Sequence, residues 1–503
     1  MAKKVELELG KEAIESTGKK QTSHWFVLFV LALAQFMVVL DVSIVNVALP
    51  AIQKAFHMSQ SNLQWVVTIY SLTFGGFLLL GGRSADLFGR RRTFLSGILF
   101  FTIASLGTGL SQSEGMLITF RALQGLAGAF MSPAALSIVL VTYREGHERN
   151  VALSVWGAVA SGGAAVGVLL GGIITQYLNW RWNFFVNVPV GLFVIFTALR
   201  IVGVHKSESE HNSLDLPGAV SVTAGLMTLV YGLTKAPTYG WTEHRTLTYF
   251  AVSAVLLLFF IYNESRAAHP LVPLRVFRIR NLAAADVLML FMAAGLFSVF
   301  FFTTLYLQEV LGYTPVKTGV SFLVVPLAIA LTATNVPRLI QRIGYRPILM
   351  VAPLVVSAGL FWVSHIPVNG TYWGNVAPGM ILLGLGMGAT FVSVTIAATS
   401  GVPQHESGLA SGLLTTSQQI GGALGLAVLT GVATSAATTY INNLHAVPTA
   451  ADQVAATVHG FHDGYLIAST FGVAASLLAT LFIRAQKAKT DPSHAEPEPV
   501  ALH

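Results

Sequence analysis

The 503-residue chain contains no cysteine. That excludes disulfides, thiolate metal sites and a thiol nucleophile. Charge is also scarce: Asp, Glu, Lys and Arg make up 10% of the residues, against about 25% in an ordinary soluble protein. No GxxxxGK[ST] stretch is present to cradle a phosphate, so ATP hydrolysis by this chain is not expected. HExxH and GxSxG are missing as well, and nothing suggests an appended soluble domain; the sequence does not read as an enzyme and no cofactor is expected. The fourteen histidines, among them His57, His205, His244, His445, His459 and His462 in expected loops, show no paired spacing inside an apolar run, so no metal site is expected.

What is abundant is apolar surface, at 54% hydrophobic residues. Apolar runs bounded by charge or turn residues fall at 25–49, 63–81, 93–112, 115–141, 151–176, 183–204, 214–235, 247–263, 282–307, 316–337, 347–366, 375–399, 407–436 and 463–483. Most are close to the ~20 residues that a helix needs to cross hydrocarbon. The chain therefore reads as an all-α integral membrane protein with fourteen transmembrane helices. The first run is too long for a signal-peptide core and lacks a small-residue cleavage site, so it reads as a retained span. An even number of spans puts both termini on one side. Of the 29 Lys and Arg, 23 fall on that side and five on the other. By the positive-inside rule both ends are cytoplasmic. The net charge of +7 is then orientation signal, and a nucleic-acid partner is not expected.

The chain repeats itself. GGRSADLFGRRRTF between runs two and three is matched, eight runs later, by NVPRLIQRIGYRPIL, with Gly89 on Gly344 and Arg91 on Arg346. Two six-helix halves with two additional central helices between them explain that offset, an arrangement of tandem repeats common in transporters. The expected organisation is a tail at 1–22, an N-terminal bundle at 23–204, two extra helices at 205–265, a C-terminal bundle at 266–484 and a disordered cytoplasmic tail at 485–503. Glycines four apart (Gly163, Gly167 and Gly171, followed by Gly172) fall on one helix face and suit close helix packing in lipid.

One ionisable residue is out of place. Asp41 lies inside the first apolar run, where a carboxylate costs about 3 kcal/mol on insertion scales. Burial favours the neutral form of a carboxyl group. A side chain so placed is suited to bind and release a proton while something else crosses the membrane. Arg121 is the one basic residue well inside a run. Whether the two meet cannot be read from the residues. Asp286 falls about 7 Å into the ninth run at 1.5 Å per residue, near enough to its end to snorkel or to meet Arg280; Glu309 falls at the opposite boundary, where solvent is expected.

These stretches resemble the major facilitator superfamily, in particular its fourteen-span drug:proton antiporters of the EmrB/QacA type, over nearly the whole chain. LDVSIVNVALP (40–50) is similar to that family's first-span motif and carries Asp41 and Asn46. GRSADLFGRRR (82–92) resembles the superfamily loop motif, with Gly82, Asp86, Gly89, Arg90 and Arg91. RALQGLAGA (121–129) resembles the fourth-span motif, with Arg121 and Gln124. WRWNFFVNVPVG (180–191) and LQEVLGYTP (307–315) are also similar to the family pattern. In the fifth span the glycines stand but Val168 occupies the place of the usual proline, so that helix keeps one more backbone hydrogen bond and bends less.

The resemblance implies a bacterial cytoplasmic-membrane transporter that works as a monomer and exchanges protons for lipophilic, cationic drugs or antibiotics, conferring resistance. The alternative is a proton-coupled metabolite or nutrient symporter on the same fold. Asp41 and Arg121 are the expected coupling residues. Asn46, Trp65, Tyr70, Gln124 and Trp156 are candidate cargo contacts, because aromatic and polar surfaces suit flat organic cations. The 82–92 loop and the fifth-span glycines are implied to govern the change of facing state.

Overall fold

The computed structural model describes residues 2–143, 146–203, 214–403, 406–444 and 447–485, without the side chains of 2–23, 160 and 161. No strand occurs among them. Thirteen helices are long and apolar enough to cross a membrane. A fourteenth, Arg90–Gly109, opens on three arginines and completes the set. In chain order they are α1 (His24–Phe56, continuing a helix that starts at Ala2), α2 (Gln60–Phe88), α3 (Arg90–Gly109), α4 (Glu114–Thr142), α5 (His147–Tyr177), α6 (Trp182–Ile201), α7 (Leu216–Tyr239), α8 (His244–Arg266), α9 (Arg280–Val310), α10 (Pro315–Ile343), α11 (Tyr345–Val363), α12 (Tyr372–Thr399), α13 (Ser407–Asn442) and α14 (Ala450–Phe482). In hydrocarbon every backbone group must be satisfied within the segment, so these apolar runs fold as helices. Their many hydroxyls follow the same rule by bonding the carbonyl four residues back, as Thr73, Ser84, Thr102 and Thr108 do.

The fourteen helices form two six-helix halves, α1–α6 and α9–α14, with α7 and α8 inserted between them in sequence. The loop repeat has a structural counterpart. Gly89 and Gly344 turn the chain with φ of +94° and +78°, a region open to glycine at little cost. Two residues beyond each, an arginine ties the start of its helix to the end of the last helix in its half. Arg91 Nη2 donates to the Leu199 carbonyl of α6 at 2.5 Å, and Arg346 Nη2 to the Thr480 carbonyl of α14 at 2.9 Å. A cation at a helix C-terminus meets the negative end of its dipole.

The last helix is longer than its apolar run. The last span begins at Ala450, thirteen residues before its apolar run, because Thr449 and Asp452 form a reciprocal capping box that starts the helix in a weakly apolar stretch. His459 and His462, expected in a loop, therefore lie on α14; the His462 ring pairs with the Ile366 carbonyl at 2.5 Å. His205, His445 and the tail beyond 485 lie outside the described residues. α8 packs against α7, while α7 lies on α2 of one half and α13 of the other.

On the side away from the chain ends, here the far side, the halves touch directly. Gln308 Nε2 of α9 donates to the Val47 carbonyl of α1 at 2.9 Å, and the Val316 amide of α10 donates to Gln176 of α5 at 3.1 Å. Gly172 is what lets α5 reach α10: a Cβ there would stand 2.5 Å from the Pro315 carbonyl oxygen.

Candidate coupling site

Asp41 sits midway along α1 and has no exposed surface. Removing a carboxylate from water is costly unless hydrogen bonds and an opposite charge replace the lost solvation. Here both are supplied by the other helices of the same half. Arg121 of α4 places Nη1 2.5 Å from Asp41 Oδ2. The second oxygen, Oδ1, accepts from Asn187 Nδ2 of α6 at 2.9 Å and from Gln124 Nε2 of α4 at 3.1 Å. Ser105 Oγ of α3 takes the other bonds of these two amides, at 2.6 Å from Gln124 and 3.3 Å from Asn187. Thr108, one turn along α3, shares its one hydroxyl proton between the Ala104 carbonyl at 2.8 Å and Gln124 Oε1 at 3.1 Å. Both amides are thereby held with their donors toward the carboxylate.

The arginine is equally confined, at 1% exposure. Its Nε donates to the Val66 carbonyl of α2 at 2.9 Å, and Nη1 also reaches Gln124 Oε1 at 3.1 Å. Its flat face lies 4.4 Å from the centre of the Tyr70 ring, with Phe184 at 5.7 Å. Such stacking stabilises a desolvated cation by roughly 2 kcal/mol. Five helices thus converge on one buried ion pair. The sixth supports it from behind. A Cβ on Gly163, Gly167 or Gly171 of α5 would meet Val39, Ser43 or Ile44 at 3.2, 2.6 and 2.6 Å, so the glycine face of α5 is pressed against the turns of α1 that carry Asp41.

The other sequence candidates fall elsewhere. Asn46 bonds its own helix, donating to the Val42 carbonyl at 3.0 Å. Trp65 packs beside Tyr231 of α7, centroids 6.2 Å apart, in a cluster joining α2, α7 and α13. Trp156 is half-buried on α5. In the 82–92 loop Asp86 is exposed in the last turn of α2, Gly89 makes the turn, Arg90 opens α3 and Arg91 makes the tie to α6. Gly82 has room to spare: a Cβ there would lie 3.7 Å from Pro133, while its neighbour Gly81 lies against the Ala129 backbone of α4. Sequence reasoning missed Ser105 and Thr108, ordinary hydroxyls in an apolar run. Asn187 had a signal, since it falls inside the 180–191 motif.

A family profile described as Major Facilitator Superfamily matches residues 31–426. The chain belongs to the major facilitator superfamily. Among its relatives in this superfamily is the puromycin resistance protein of Streptomyces alboniger, 39% identical over 461 residues that cover 91% of this chain and 90% of the relative. The cephamycin export protein of Amycolatopsis lactamdurans is 39% identical over 80% of this chain and 84% of its own length. The tetracenomycin C resistance and export protein of Streptomyces glaucescens is 38% identical over 80% and 75%. Of solved structures, the peptide-transporter-family protein PepTSo aligns with a TM-score of 0.65 at 15% identity, covering 92% of this chain and 97% of that one. At that identity the likeness speaks for the fold of this superfamily member alone.

Proposed function

We propose that this transporter exports lipophilic, cationic drugs or antibiotics from the cell in exchange for protons, with Asp41 as the coupling carboxylate. The observation that carries the proton half is the ion pair at mid-membrane, because its charge balance changes by a full unit when Asp41 takes a proton. A neutral carboxyl group keeps weak hydrogen bonds to Gln124 and Asn187 but loses the charge-assisted bond to Arg121. That guanidinium then keeps the Val66 carbonyl, Gln124 Oε1 and the rings of Tyr70 and Phe184. Protonation therefore loosens α1 from α4, and α1 also carries the Val47 contact that joins the halves on the far side. The antibiotic-export and resistance names of the relatives support the cargo half.

In this reading the halves divide at 23–204 and 266–484, and both termini face the cytoplasm, as the distribution of basic residues supports. The far-side contacts then close the outward path, which makes this a cytoplasm-facing arrangement of a protein that acts as a monomer in the bacterial plasma membrane. One inward proton supplies about 2.3 kcal/mol per 100 mV and about 1.4 kcal/mol per pH unit. The test is a drug-susceptibility panel with and without expression, followed by uptake into inside-out vesicles made acidic within. Accumulation of a protective compound that collapses with the pH gradient is the expected result. Movement of cargo together with protons would instead identify a symporter.

A further inference from the structure

The first half neutralises its buried carboxylate; the second half has one that it does not. Asp286 of α9 is 5% exposed, and its carboxylate has no charged partner, only a loose contact with the Ser417 hydroxyl of α13 that falls outside good hydrogen-bond geometry. It does not meet Arg280, which turns away to the Leu481 carbonyl at 2.5 Å and the Phe482 ring. Among the described residues, the elements packed on α9 bring no compensating charge. α12 has only Tyr372, at its far-side start and bonded to the Ser321 carbonyl, and α13 has only Tyr440, near its far end. Those of α14 fall between Asp452 and Tyr465, toward its far-side half. On α11, Tyr345 bonds Asn281 and the Arg484 carbonyl, and Arg346 bonds Thr480. Before α9, Arg275 pairs with Glu406 at 2.7 Å and Arg278 is exposed. On α1, Asp41 is taken by Arg121, and Lys54 lies at the far-side end of the helix, toward Glu309. The side chain beside Asp286 is the neutral Ser417 of α13. A buried carboxyl group in this setting must either hold a proton or face a cation that arrives from outside.

Asp286 is not itself on the wall of a cavity, but its neighbours are: Gln418, next to Ser417, and Met289 both face one. Met289, one turn along the same side of α9, helps line a cavity of about 180 Å³ between α9, α12 and α13. Phe391 and Gln418 line it too, with the hydroxyls of Thr395, Ser411 and Thr415. Aromatic and thioether surface with a few hydroxyls suits an alkylammonium group, and the volume fits the charged end of a drug rather than the whole of one. We propose that Asp286 and this cavity form a recognition subsite for the ammonium group of cationic cargo, on a different half of the molecule from the Asp41 pair. The arriving cation takes the place of a proton: the carboxyl O–H bond breaks, the proton leaves to solvent and the carboxylate faces the ammonium. This rests on the export reading for its cargo class but is tested on binding alone, so a wild-type protein that binds the cation and exports nothing would sink only the export reading.

The test uses purified full-length protein and two probes of one shape, phenyltrimethylammonium and its uncharged isostere tert-butylbenzene. Calorimetry should show Asp286→Asn weakening the cation by tenfold or more and leaving the isostere within twofold, while Asp286→Glu restores most of the cation affinity. In weakly buffered solution, cation binding to the wild type should release about one proton per site, and to Asp286→Asn none. Equal cation affinity in wild type and Asp286→Asn overturns the proposal, as does equal loss of both probes in a variant whose melting temperature is unchanged. Retained cation affinity with loss of pH-driven transport would make Asp286 a proton site only, which also overturns it.

Discussion

Asp41→Asn preserves the size of the side chain and removes its charge, and the structure sets out what should follow. Arg121 is left as a buried cation without a counter-charge. Breaking a buried pair in this way costs about 3–5 kcal/mol; the asparagine carbonyl can still accept from Arg121, which places the effect near the lower end. The asparagine amide, however, must then face the Nδ2 of Asn187 or the Nε2 of Gln124, donor against donor. Replacing both charges together, Asp41→Asn with Arg121→Gln, removes the stranded cation and should recover most of the loss in melting temperature. It should not recover transport. In inside-out vesicles with the potential clamped and one pH unit across the membrane, each proton exchanged for a monovalent cation supports at most about a tenfold cargo gradient, since 1.4 kcal/mol is a factor of ten. Both variants should fall to a ratio of one while still catalysing cargo-for-cargo exchange without a gradient. If Asp41→Asn vesicles hold the wild-type gradient and it still tracks the imposed pH difference, the ion pair is not the coupling device and the reasoning fails.

Tyr70→Phe should be close to neutral in stability and transport, because the hydroxyl has no partner and the ring that faces Arg121 is retained. Tyr70→Leu should lose the cation–π contact and lower stability by about 2 kcal/mol, read from melting curves in detergent. Gly171→Val should abolish transport and destabilise by about 1–3 kcal/mol, the usual range for overpacking, because its Cβ would stand 2.6 Å from the Ile44 carbonyl oxygen; wild-type uptake in that variant would show that α1 and α5 can part freely. Gly89→Ala places a side chain at φ +94° and should cost about 1–2 kcal/mol, with Gly344→Ala showing the same penalty if the two loops are equivalent.

The helical class and the number of spans were legible because hydrocarbon leaves the backbone so few options; runs of some twenty apolar residues speak directly for crossing helices. Asp41 and Arg121 stood out for the same reason, as charges in the wrong solvent. Their meeting did not, since contact between α1 and α4 depends on how helices eighty positions apart are packed. Ser105 and Thr108 were invisible because a hydroxyl in an apolar helix can bond its own backbone and usually signifies nothing more. The packing of Trp65 was not legible either: nothing in the sequence says that Tyr231 of α7 lies beside it. The start of α14 was missed because hydropathy finds the part of a helix inside the membrane and not the capped, more polar turns that lead into it.

The inserted pair gives the molecule two unlike edges. α7 lies across the seam between α2 and α13, joined to α2 by Gln64 to Thr234 at 2.9 Å and by Lys235 to Asn62 at 3.2 Å. On that edge, lipid meets α7 and α8 before it meets the seam. On the opposite edge α5 and α10 meet near the far side with no such cover among the described residues. A greasy molecule dissolved in the bilayer therefore finds one doorway shuttered and the other bare, and a label attached along α5 should sense its arrival sooner than one attached along α2.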